Sequence, residues 1–365
     1  MSERRRPSWR RIALMALGAC ALAVILFLSR HTLIESLDLL GHLDWTWFLL
    51  ALVSEAVSLV AFGLSRRRLL RANGHKAPFR SVMAITYASN ALSMSLPFAG
   101  TQLAAVFSYR QFRRLGIDSA VTGWALGVSA ILSSSGLALV LVVGALAGGA
   151  SVATAAGFAG AAIFVLPGAA VLLALRYRQV RGALNRIIAR LIHVLRRLLR
   201  RPDIDVGAME EFLDRLASIK LPWFRYAEVF GLAVVNWVAD CGCLACAIRA
   251  TGQPVPWHGL LLAYGAGAAV GSTGVTPGGF GLVEVALTAA LTAAGLSASK
   301  ALTAVLAYRL VNFWLILIGG WALMVFLTHR HGSSGPQLAQ GESPLGKRGP
   351  RSPEPEPLDP PVRAE

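Results

Sequence analysis

Thr276-Pro277-Gly278-Gly279-Phe280-Gly281 cuts through an apolar stretch in the second half of the chain, as Leu96-Pro97-Phe98-Ala99-Gly100 cuts through one in the first half. Proline removes a backbone donor and clashes with the preceding turn, so a helix cannot run through either place undisturbed. Beyond each break the apolar run resumes, reaches a glycine, Gly116 or Gly295, and gives way to another apolar run. In hydrocarbon, unwound backbone is stable only where protein buries it or where it lines a water-filled cavity. Helix breakers at matched places in two halves of a membrane protein therefore point to a transporter's binding site.

Composition fixes the class around these breaks. Of the 365 residues, 55% are hydrophobic and 15% charged, and the apolar residues fall in runs of about 20, the length that spans hydrocarbon. The expected fold is an all-α polytopic membrane protein. A net charge of +16 would suggest nucleic acid in a soluble chain, but the arginines cluster beside apolar runs, as the positive-inside rule requires. No nucleic-acid-binding module is visible. Cys20, Cys241, Cys243 and Cys246 all fall inside predicted spans, which argues against a disulfide framework. Cys241-x-Cys243-x-x-Cys246 could bind a soft metal, but small thiols at a helix interface are the simpler reading. Neither a metal nor another cofactor is expected.

The basic residues give the topology. Arg4 to Arg6, Arg10 and Arg11 precede an apolar run from 12 to 29, read as an uncleaved first span because it continues past Cys20. The link from His31 to Trp45 lacks Lys and Arg, whereas Arg66, Arg67, Arg68 and Arg71 follow the run from Thr46 to Leu64. The N-terminus is thus expected inside. Val82 to Ser95 and Phe98 to Tyr109 are each too short to cross singly, and they read as a re-entrant hairpin entering from the cytoplasm. Ser119 to Leu146 then exits, Val152 to Leu175 re-enters and Tyr226 to Ile248 exits. Leu260 to Val275 and Phe280 to Ala294 form a second hairpin, dipping from outside, and Ala301 to Thr328 returns. Of the 35 basic residues, Arg30, Arg249 and Lys300 sit at predicted outer boundaries and Arg309 within a span.

The predicted architecture is six full spans plus two re-entrant helical hairpins in an inverted repeat. If the second hairpin's legs cross completely, the count rises to eight or more membrane segments. A basic cytoplasmic N-terminus (1–11) precedes the first membrane repeat (12–146), whose inner hairpin is 82–109. The second repeat (147–328) holds a basic cytoplasmic helix (176–220) and the outer hairpin (258–295). That basic helix lies either on the anionic inner leaflet or on the bundle's cytoplasmic ends. Residues 329–365, rich in Pro, Gly, Ser and charge, are expected to form a disordered cytoplasmic tail. The expected location is the plasma or inner membrane, with both termini cytoplasmic.

A charge at bilayer depth costs from about 3 to more than 10 kcal/mol, so each intramembrane ionisable residue needs a partner or a cavity. Four qualify: Glu55, Asp240, Glu284 and Arg309. Counting about 1.5 Å per residue puts Glu284 and Arg309 at similar depths, where they can face one another. Arg309 would attract a lipid phosphate, with Glu284 holding it in place, or the two would form a structural ion pair that locks the hairpin to the last span. Amides around Gly278, Gly279 and Gly281 at a half-helix N-terminus would bind the same anion, or those glycines serve close packing. Glu55 and Asp240 occupy comparable places in the two halves, where either could carry a coupling proton or be a carboxyl bonded to a neighbouring helix. Asn90, Asn236, Asn312 and Ser133 to Ser135 read as interhelical hydrogen-bonders.

The run Thr276-Pro277-Gly278-Gly279-Phe280-Gly281-x-x-Glu284, then Gly295, then Ala307-Tyr308-Arg309-Leu310, resembles the lysylphosphatidylglycerol synthase transmembrane-region family of flippase-like membrane proteins. Asn90-Ala91-Leu92, Pro97-x-x-Gly100 and Arg113-Arg114-Leu115-Gly116 fit it too, so the resemblance covers roughly residues 10 to 328. It implies a membrane region that moves lipids or lipid-linked molecules, alone or joined to a cytosolic aminoacyl-transferase domain, which is not recognisable in this sequence. Many members carry an acidic residue just after the first-half glycine, where this chain has Thr101 and Gln102. A mechanism with carboxylates on both hairpins is therefore not expected.

The substrate site is accordingly expected at Pro277, Gly278, Gly279, Gly281, Glu284, Tyr308 and Arg309, with Pro97, Gly100 and Gln102 from the first hairpin. The scattered histidines form no catalytic set, and the chain is not expected to be an enzyme. Expected partners are membrane lipids with anionic headgroups, and either a second copy of the chain or a lipid-modifying enzyme could join it. The main alternative to transport is a scaffold subunit for such an enzyme.

Overall fold

The computed structural model describes residues 43–71, 74–148, 160–162, 165–166, 219 and 221–330. The first predicted span, the basic helix and the tail beyond 330 lie outside these residues, as does nearly all of the predicted span 152–175. Contacts divide the chain into a compact unit Met1–Val325 and a second unit from Phe326, of which the described part is the end of the final helix. Among the described residues every regular element is helical.

Among the described residues four helical runs are long and apolar enough to cross a membrane. They are α1 (Trp45–Leu70), α4 (Ser119–Gly148), α5 (Trp223–Ala250) and a run made of α8 (Ala298–Arg309), a π-helical segment (Leu310–Leu315) and α9 (Ile316–Arg330). The expected break at Pro97 separates α2 (Phe79–Ser95) from α3 (Gly100–Arg114). The break at Pro277 separates α6 (Trp257–Ser272) from α7 (Leu282–Ala293), with a short 3-10 turn at Pro277–Gly279 between them. At 17, 15, 16 and 12 residues, these legs measure about 18 to 26 Å, shorter than the ~30 Å hydrocarbon core. Each pair folds back as a helical hairpin. Gly116 and Gly295 follow the returning legs with φ of 80° and 107°, the left-handed conformation that ends a helix without penalty at glycine.

α1 and α5 form the most extensive helix pair and run antiparallel in constant register. The Asp44 amide donates to Ala250 O at 2.8 Å, the Ser54 hydroxyl to Ala239 O at 2.7 Å, and the Asn236 amide to the Ser58 hydroxyl at 2.7 Å. At the far end Arg68 pairs with Glu228 at 2.9 Å. That register brings Glu55 and Asp240 opposite each other across the pair.

Each hairpin's first leg packs on a long helix from the other half through glycine. Gly144 of α4 lies so close to α6 that a Cβ there would stand 2.8 Å from backbone atoms of Leu261 and Leu262. Gly319 and Gly320 of α9 sit against Tyr87 and Ala91 of α2 in the same manner. Lipid tails are as apolar as leucine, so such helices associate by close packing and hydrogen bonds, which small residues permit. Two hydrogen bonds reinforce α2 against the last span: Tyr87 OH donates to Leu315 O at 2.8 Å, and Trp321 Nε1 to Ser95 Oγ at 2.8 Å. The first satisfies a carbonyl at the end of the π-helical segment.

At the start of α4, Asp118 Oδ1 accepts from the amides of Ala120 and Val121 at 2.8 and 3.3 Å. Desolvation works in the other direction, but bonds from the Val121, Ala120 and Ser119 amides hold this carboxyl below its usual range. It is an N-cap that also answers the positive end of the helix.

Candidate functional site

The hairpin tips touch. Phe98, in the first break, donates its backbone N–H to Gly274 O beside the second, at 2.6 Å. Phe98 adopts φ of 55°, a left-handed conformation that is strained for a bulky side chain. In the second break Gly278, Gly279 and Gly281 have φ of 54°, 72° and 80°. At Gly278 glycine is needed twice over, because a Cβ would collide with the Phe313 ring and lie 3.3 Å from Met94 Cβ. The Phe280, Phe313 and Trp314 rings pack around this turn with centroids 5.0 to 6.3 Å apart.

The tight turn presents the Gly278 carbonyl to the last span. Arg309 Nε donates to Glu284 Oε1 at 2.6 Å, and its Nη2 donates to Gly278 O at 3.0 Å. The guanidinium also lies 4.4 Å from the centroid of Phe313. Both partners are buried, Arg309 at 4% exposure and Glu284 at 8%. Charge-assisted bonds of this length are the strong class. Among the described residues the guanidinium bonds through Nε and Nη2, and buried Glu284 Oε2 has no hydrogen-bond partner there. The ion pair thus spends one edge of the guanidinium and leaves the other available.

A second polar cluster adjoins the first. Asp240 on α5 accepts from Tyr264 OH at 2.8 Å, Tyr308 OH at 2.9 Å and Asn312 Nδ2 at 2.9 Å. The same Asn312 nitrogen lies 3.4 Å from Glu55 Oε2 on α1. Asn312 belongs to the π-helical segment that follows Arg309, an insertion that often accompanies function. Four separate stretches, α1, α5, α6 and the last span, thereby converge on one network.

Both clusters face a cavity of about 330 Å³, bounded by residues of both halves. Its wall includes Glu55, Asp240, Tyr264, Tyr308, Arg309 and Asn312, and Gly278 contributes from the turn. The first hairpin adds Asn90, Ser93, Met94 and Thr101. Glu284 stands behind Arg309, buried. Pro277, Gly279 and Gly281 shape the turn but are not on the wall, and neither are Pro97, Gly100 or Gln102. Gln102 serves its own turn: oriented by hydrogen-bond pattern, its amide nitrogen donates to Phe98 O at 2.8 Å. Gly100 packs against Ser93 of the preceding leg.

Tyr264 carries no signal in the sequence, since a tyrosine in an Ala/Gly-rich apolar run has the look of packing. Asn236 does bond between helices, to Ser58, but it also lines the cavity, and Asn312 is the bridge between the two acids. Among the described residues no three His, Cys, Asp or Glu side chains are arranged to hold a metal. The arrangement offers one cation, three carboxyls and several neutral donors around a headgroup-sized space.

The family model for the lysylphosphatidylglycerol synthase TM region matches residues 11–320. No curated protein matches the chain. With most of its length, both hairpins and the Arg309 cluster inside that match, the chain belongs to the lysylphosphatidylglycerol synthase transmembrane-region family, whose membrane region is tied to lipid modification or transport.

Proposed function

We propose that the protein is a lipid translocase, not an enzyme, that carries anionic phospholipid or lipid-linked headgroups between leaflets. The observation that carries this reading is buried Arg309 on the wall of a cavity, with its Nε–Nη2 edge held by Glu284 and Gly278 and no further hydrogen bond among the described residues. A charge so placed in hydrocarbon needs a reason, and an anionic headgroup supplies one. The cavity's 330 Å³ lies at the lower end of the range for small-ligand sites. It suits a headgroup while acyl chains stay in lipid.

The antiparallel register of α1 and α5, and the reciprocal packing of each hairpin on the other half, support an inverted repeat of six spans and two re-entrant hairpins. Such repeats permit alternating access about a fixed central site. The arginine pattern supports a plasma-membrane protein with both termini cytoplasmic.

Purified protein in vesicles with headgroup-labelled anionic phospholipid tests the reading. Label should exchange between leaflets faster than in protein-free vesicles. Equal rates across several lipid classes would overturn transport and favour a scaffold for a lipid-modifying enzyme.

A further inference from the structure

We infer that Glu55 takes up and releases a proton together with the transported anion, and that Asp240 is the fixed charge beside it. This rests on the transport reading above and adds its energy source.

The two acids face each other from α1 and α5, yet their surroundings differ. Asp240 accepts three hydrogen bonds, from Tyr264, Tyr308 and Asn312, a set that favours the ionised form. Glu55, 5% exposed, has one neutral donor, the 3.4 Å approach of Asn312 to Oε2, and otherwise meets the Asp240 carboxyl itself, a carboxyl–carboxyl contact that needs a proton on one of the two. Two carboxyls in contact, with one amide shared between them, cannot both ionise in a low-dielectric interior without a large cost. The acid with fewer donors is the one that takes the proton.

The other charged or titratable groups near the pair do not remove this need. Tyr264 of α6 and Tyr308 of α8 already donate to Asp240. Cys241 and Cys243 of α5 are buried thiols nearby, and Tyr87 of α2 donates its hydroxyl to Leu315 O. Arg309 is the cation on the cavity wall, and it is paired with Glu284. Among the described residues no lysine or histidine lines the cavity.

An anion entering beside Arg309 would meet two negative charges in the same space if Glu55 were ionised, and one if it were protonated. Anion and proton binding are therefore mutually favourable, and by linkage each raises the affinity for the other. The Glu55 carboxylate gains a proton from the water on the side to which the cavity opens and becomes neutral. It returns the proton when the headgroup leaves on the other side. One proton accompanies one negative charge, so the step moves no net charge.

The test uses full-length protein in phosphatidylcholine vesicles containing phosphatidylethanolamine labelled on its headgroup nitrogen with a nitrobenzoxadiazole, which makes that lipid a monoanion. Dithionite quenching reads the label in the outer leaflet, with protein-free vesicles as the baseline and the membrane potential clamped at zero. With a pH gradient, label should accumulate in the leaflet facing the alkaline side, approaching about tenfold per pH unit for one coupled proton. Glu55→Gln, which keeps the shape but releases no proton, should give the same distribution with and without the gradient. Glu55→Asp keeps an acid and should retain the response, which guards against a glutamine variant that fails to fold. A wild-type protein that moves label but ignores the gradient, or drives it to the acidic side, overturns the coupling and leaves transport standing. Label no more mobile than in protein-free vesicles overturns both.

Discussion

Arg309 and Glu284 lie 25 residues apart and meet in a bond of 2.6 Å, so breaking either side strands a buried charge. Removing one partner of such a pair costs about 3–5 kcal/mol, whereas replacing both by apolar residues is often neutral or stabilising. We therefore expect Arg309→Met and Glu284→Leu each to lower thermal stability strongly, and the double variant to regain most of it. Transport should stay absent in the double variant. A double variant that is both stable and active would reduce the pair to a lock between hairpin and last span. The strained residue at the other tip makes the opposite case. Phe98 is 70% exposed with φ of 55°, and relieving a left-handed backbone is worth about 1–2 kcal/mol. Phe98→Gly should raise the midpoint of unfolding, a gain checked by scanning calorimetry. This pair of residues also marks the limit of sequence reading. Arg309 and Glu284 were legible because charge in an apolar run is conspicuous and their depths matched. The strain at Phe98 was not: the residue is at the centre of a tight turn in which Ala99 N–H donates to Pro97 O, and its own N–H donates to Gly274 O, a contact between halves that no local pattern encodes.

At the scale of elements, the prolines, the glycines and the run lengths were enough to locate both hairpins, since helix breaking is a local property of the backbone. Two differences came from tertiary context. The run predicted as one span from 301 to 328 is interrupted by π-helical Leu310–Leu315, which is tied to its surroundings by Tyr87 OH on Leu315 O and by its own Asn312, which donates to Asp240. Gln102, expected at the substrate site, has its amide nitrogen on the Phe98 carbonyl of its own turn, because a side chain one turn beyond a break reaches the broken carbonyls first. Ends of elements are more readable. Asp118 ahead of α4 is an N-cap whose carboxyl is held below its usual range once the desolvation that opposes it is outweighed by backbone amides. Replacing such a cap by alanine costs about 1 kcal/mol. Its contribution is present above the unfolded aspartate pKa of about 3.9 and is lost as pH falls through the lower folded value. Asp118→Ala should therefore be less stable than the parent at pH 7, with the difference shrinking under acid titration, as followed by denaturant unfolding at several pH values.

For the whole molecule the decisive contact is the one between the hairpin tips, where Phe98 N–H meets Gly274 O at 2.6 Å. If headgroups pass through the cavity between the hairpins, those tips must part during a cycle, since the cavity is bounded by Met94 and Thr101 on one side and Gly274 and Gly278 on the other. Interfaces of packed helices switch between discrete arrangements rather than deforming smoothly. A tether across the tips should hold one of them. With Cys20, Cys241, Cys243 and Cys246 replaced by serine or alanine, paired cysteines at Phe98 and Gly274 should react rapidly with a short thiol-to-thiol reagent, read as a fragment that stays joined after cleavage between the halves. The tethered protein should lose leaflet exchange, and each single cysteine variant treated with the same reagent should keep it. Slow joining in vesicles would separate the tips in the resting protein, and joined protein that still exchanges lipid would mean that headgroups take a path outside the hairpins. The closeness of these tips depends on two breaks far apart in the chain, so it is the observation on which a cavity shared by both halves stands or falls.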